Sequence, residues 1–125
     1  MPLNKITLNA NAGPVTVEIV FSYAQVGAYS LQLWNGDQKT KTFIGEGVNT
    51  DQIPDKYFLP QPVDSLKGKF LDCLASILAP NPQPGERYRV DMVISQDGIE
   101  RGREYDEGTI DTKSVQIRLV VELVC

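Results

Sequence analysis

The run Lys69-Phe70-Leu71-Asp72-Cys73-Leu74-Ala75-Ser76-Ile77-Leu78 decides the fold, because it alone leaves the choice between helix and strand open. With the residues before it, Leu66, Phe70, Leu74 and Ile77 fall at a spacing that suits one helical face. The run also fits a strand buried on both sides, with Phe70, Asp72, Leu74, Ser76 and Leu78 on one face and Leu71, Cys73, Ala75, Ile77 and the following Ala79 on the other. Gly68 disfavours the helix by about 1 kcal/mol relative to Ala. A strand over Lys69 to Leu78 is therefore expected, and with it an all-β chain.

Outward from that run, the pattern alternates apolar and polar residues, the period of a half-buried strand. Ile6 and Leu8 alternate with Lys5, Thr7 and Asn9. Val15, Val17, Ile19 and Phe21 follow the turn-forming Asn11-Ala12-Gly13-Pro14, and Tyr29, Leu31 and Leu33 share a third inward face. Asn35-Gly36 marks a hairpin with a type I′ turn, whose two central residues need positive φ. A return strand is expected over Lys39 to Ile44, ended by Gly45 and Gly47. From Ile53-Pro54 to Gln61-Pro62 the prolines break regular pairing and suggest a crossover between sheets. Ala79 to Gly85 reads as a stiff, proline-rich loop.

Tyr88, Val90, Met92 and Ile94 begin the last third. Gln96-Asp97-Gly98 is a second hairpin signal, followed by a short polar strand over Ile99 to Asp106 and a turn at Glu107-Gly108. Val115, Ile117, Leu119, Val121 and Leu123 form the longest alternation, and Val120 and Val124 are apolar on its nominally polar side. The expected architecture is one domain over residues 1–125, an antiparallel β-sandwich of seven to eight strands. It resembles the immunoglobulin or fibronectin type III superfold in broad architecture. The Cys…Trp…Cys spacing of immunoglobulin domains is absent, since Trp34 precedes both cysteines, Cys73 and Cys125.

The 125 residues carry 12 Lys plus Arg, 16 Asp plus Glu and no His. Lacking histidine excludes Ser-His-Asp and Cys-His nucleophiles and every His-containing zinc site. A net charge of -4 argues against nucleic acid, whose binders need a basic stripe. Arg87, Arg89, Arg101 and Arg103 come closest to one, but Glu86, Asp91, Glu100 and Glu104 interleave with them. No apolar run is long enough to span a bilayer, and no signal peptide shows at the start, so a chain taken as written is expected in the cytoplasm. Two unpaired structural thiols are expected rather than a disulfide.

The candidate binding residues are aromatic. Trp34 lies opposite in parity to Leu31 and Leu33, beside a hairpin tip, where it could stack on a sugar, anchor a protein or cap the rim of the sheet. Tyr57-Phe58-Leu59, between Pro54 and Pro60, would suit recognition on a stiff loop or plug an open end of the sandwich. Asp106, Glu107 and Asp111 match no calcium loop and read as solvated charge beside arginines. No acid pair marks a glycosidase cleft, and Gly45-Glu46-Gly47 lacks the third glycine of a dinucleotide fingerprint. No catalytic residue, metal or cofactor is expected. The expectation is a non-catalytic interaction or structural module that binds a protein or self-associates. A carbohydrate-binding module using Trp34 with Tyr57 or Tyr105 is the alternative, and a small hydrolase with paired carboxylates ranks last.

Overall fold

A computed structural model describes residues 4–23, 26–49, 55–79 and 83–125. Among these, nine strands form two sheets packed over a shared core, with no α-helix. They are β1 (Asn4–Thr7), β2 (Val15–Phe21), β3 (Val26–Trp34), β4 (Lys41–Asn49), β5 (Asp55–Phe58), β6 (Phe70–Leu78), β7 (Arg87–Gln96), β8 (Ile99–Thr109) and β9 (Ser114–Val124). One sheet runs β1-β9-β6-β3-β4 and the other β5-β2-β7-β8. Every pairing is antiparallel except that β1 lies parallel to β9, a departure from the purely antiparallel expectation.

The alternation places its apolar residues inward as expected. Leu31 and Leu33 of β3, Leu71, Cys73 and Ile77 of β6, Val90, Met92 and Ile94 of β7, and Leu119, Val121 and Leu123 of β9 meet in one buried cluster. The deciding run is a strand, β6, at the centre of the larger sheet between β3 and β9. Its outer side is only partly covered: Leu74 and Leu78 there are 46% and 48% exposed, against the expectation of burial on both sides.

Four local expectations are corrected. The strand after the first hairpin is Lys41–Asn49, so Gly45 and Gly47 lie within it rather than ending it. They are glycine because rings cross them: a Cβ on Gly45 would sit 2.3 Å from the Tyr57 ring, and one on Gly47 would sit 2.7 Å from the Tyr29 hydroxyl. The first hairpin also lacks the type I′ turn. Gln38 N–H donates to Asn35 O at 2.8 Å, and the positive φ falls on Gln38 instead of the Asn35-Gly36 pair. The second hairpin does have positive φ at both Asp97 and Gly98. Glu107-Gly108 does not turn the chain but continues β8 beneath the Tyr88 ring. Finally, the proline-rich crossover contains β5, which pairs with β2; this short strand takes the total among the described residues to nine, beyond the seven to eight expected. Residues 80–82, in the second proline-rich loop, lie outside the described residues.

The two layers are tied at both margins. On one side Asn4 Nδ2 donates to Arg103 O at 3.2 Å, and Ile6 packs on Gly102. On the other, Tyr29 Oη donates to Asp55 Oδ2 at 2.6 Å and lies 2.6 Å from Tyr57 Oη, while Tyr57 reaches Glu46 O. The fully buried Gln96 is satisfied by Asn9 and Gly13, which fixes the β1–β2 loop. No described helix is long and apolar enough to cross a membrane.

Candidate functional site

The outer faces of the two sheets differ in chemistry, and the register shows how. In the larger sheet, side chains facing outward fall in cross-strand rows. The first is Lys41-Trp34-Phe70-Glu122, with Lys5 of β1 beside Glu122, and the second Phe43-Gln32-Asp72-Val120. The third is Glu46-Ser30-Leu74-Arg118, the fourth Val48-Ala28-Ser76-Gln116, and Val26-Leu78-Ser114 ends the series. Of the nine large hydrophobic side chains that are exposed among the described residues, Val26, Phe43, Val48, Leu74 and Leu78 stand on this face. Single exposed hydrophobics need no explanation, but a group on one face marks a surface suited to contact.

Asp72 organises the face. It projects outward from β6 yet is 1% exposed, because its neighbours cover it. Trp34 Nε1 donates to its Oδ2 at 3.0 Å, and Arg118 donates through Nε to Oδ1 at 3.0 Å and through Nη2 to Oδ2 at 2.9 Å. The pair fixes the indole plane, and Lys41 Nζ lies 5.1 Å from the ring centroid on top of it. Beside Trp34 opens a concavity of about 310 Å³ lined by Gln38, Phe70, Arg118 and Val120.

The smaller sheet presents charge instead. Asp91, also nearly buried, accepts from Arg89 Nε at 2.7 Å and Arg103 Nη1 at 2.9 Å, and Glu107 and Glu100 flank those arginines. Burial pushes the Asp91 carboxyl up, but hydrogen bonds from Arg89 and Arg103 outweigh it and hold the group below its usual range. Arg103 likewise holds Glu100 low. Tyr105 stacks under the Arg89 guanidinium at 4.2 Å. Arg89, Asp91, Glu100, Arg103 and Glu107 thus satisfy one another.

The three sequence-derived candidates do not converge. Trp34 stands half-buried on the outer face of the larger sheet, Tyr57 bridges the margin between β4 and β5, and Phe58 is 69% exposed on the outer face of the smaller sheet. Tyr105 shares the smaller sheet with Phe58. A coplanar sugar platform of Trp34 with Tyr57 or Tyr105 is not formed. Leu59 is buried and Tyr57 half-buried, so this loop does close the margin of the layers. What the residue pattern missed is Asp72, whose partners Trp34 and Arg118 lie far away in sequence.

Neither cysteine is disulfide-bonded. Cys73 is buried, and desolvation, with Asp72 adding to it, pushes its thiol up to about 12, which leaves it protonated at neutral pH. Cys125 is exposed. Among the described residues no group of three or more Cys, Asp or Glu side chains is arranged to hold a metal. The chain matches no family model, no curated protein and no solved structure.

Proposed function

We propose that the chain is a non-catalytic interaction module, immunoglobulin- or fibronectin-like in broad architecture, that engages protein through the outer face of its five-stranded sheet. The observation that carries this reading is the grouping of Phe43, Val48, Val26, Leu74 and Leu78 on that face, while the other sheet carries paired charges and exposes Phe58 and Tyr105 apart from each other. Protein is favoured over nucleic acid because the net charge is -4. The separation of Trp34, Tyr57 and Tyr105 withdraws the support that a sugar platform would need.

The test is capture by the tagged chain, offered both a native extract and an untagged copy of itself. Leu74→Asp places a charge at the centre of the face at an exposed position, and Phe58→Asp places one at an exposed position on the edge strand of the opposite sheet. Binding that is lost with Leu74→Asp and kept with Phe58→Asp is expected. Binding that survives Leu74→Asp unchanged overturns the reading.

A further inference from the structure

On the footing of that reading, we infer that the occupant of this face is a second copy of the chain, docked face to face about a two-fold axis that runs along the strands between β3 and β6. Such an axis lays each row of the face on the same row of the other copy in reverse order. In the first row, Lys41 then meets Glu122 of the second copy and Trp34 meets Phe70. In the second, Phe43 meets Val120; in the third, Glu46 meets Arg118; in the last, Val26 meets Leu78. Each contact occurs twice, as an isologous interface requires. Both charged pairs are of opposite sign and three contacts set apolar on apolar, while Leu74 faces Ser30, Val48 faces Gln116 and Asp72 faces Gln32.

The alternative axis in the same plane, running across the strands through the third row, fails this test. It sets Glu46 on Glu46 and Arg118 on Arg118, and juxtaposed like charges disfavour docking. The strand-wise axis also gives the aligned arrangement in which twisted sheets pack, with strand directions within about 30° of each other.

Size and availability agree. Four strands about 4.8 Å apart and nine residues long make a face of about 19 by 30 Å. Its projected area, before side-chain relief is added, is of the order of the roughly 800 Å² per partner seen in stable complexes. Arg118 keeps Nε and Nη2 on Asp72 while its side chain is 58% exposed, so its solvent side is open to Glu46 of the second copy.

Sedimentation equilibrium across a wide concentration range, on the whole chain, tests this. The wild type is expected to pass from monomer to dimer. Lys41→Glu and Glu122→Lys are each expected to raise the dissociation constant roughly tenfold, since each reverses a charge that occurs twice in the interface. Combining both in one chain restores opposite charges and is expected to recover affinity, which the loss of Lys41 from its own Trp34 would not do. A wild type that stays monomeric overturns the inference, as does a double variant no tighter than the singles. If the wild type is monomeric while Leu74→Asp still abolishes capture of another protein, only the second copy is refuted. If Leu74→Asp leaves capture intact, the interaction face itself is refuted.

Discussion

Asp72 is the residue on which the face depends. A carboxylate facing outward from a sheet would ordinarily be hydrated, but here the indole of Trp34 and the guanidinium of Arg118 take the place of water. Replacing it by alanine leaves the indole N–H without its acceptor and frees the arginine. Asp72→Ala is expected to cost about 1–3 kcal/mol, the range for losing a partner of a buried polar group. Trp34 is the only tryptophan, so its emission reports the change directly: a shift to longer wavelength is expected, and an unchanged spectrum would show that Asp72 does not position the ring. At this scale the sequence was only half legible. Parity alone turns Trp34 outward, because side chains alternate along a strand. Its bond to Asp72 joins positions 38 apart, and no local spacing encodes that. Gly45 and Gly47 read as strand ends for a related reason. A glycine that ends a strand and one that makes room for a tyrosine from another strand look the same in isolation.

Among the elements, β7 and β8 carry the charge chemistry. The sequence over Ile99 to Thr109 interleaves arginine with acid, and charge along an edge strand discourages pairing with another chain. Across the hairpin these charges become the group of Arg89, Asp91, Arg103, Glu100 and Glu107. Asp91 and Glu100 are both held below their usual values of 3.8 and 4.5 by the arginines, Asp91 despite its burial. A carboxyl lowered in the folded state contributes stability above its unfolded pKa and loses it as pH falls through the folded one. Stability is therefore expected to be flat near neutrality and to drop below about pH 4.5. Asp91→Asn is expected to lower the plateau by about 1–3 kcal/mol and to make the acid limb shallower. Denaturant melts taken across that range check both, and an acid limb of unchanged slope would remove Asp91 as its source. Elements with sustained alternation, such as β2, β7 and β9, were legible almost to their ends. By contrast β5, four residues set among prolines, was not, since its pairing with β2 outweighs its poor local signal.

Among the described residues the two layers close on each other at both margins, and the broad sheet surfaces left open are the two outer faces. All-β character and two packed sheets were legible from periodicity, because one buried face per strand imposes it. Which outer face stays apolar was not. Leu74 and Leu78 read as buried on both sides of β6, yet β6 has no layer above it among the described residues. That uncovered, apolar, charge-bordered face is where a second copy would dock. Trp34 lies within it as the only tryptophan, so quenching of its selectively excited emission by acrylamide measures its cover. Trp34 is expected to become less accessible to the quencher as wild-type protein is concentrated, and Leu74→Asp to abolish the effect. Accessibility that stays constant while the measured mass doubles would contradict it, because association would then use another surface.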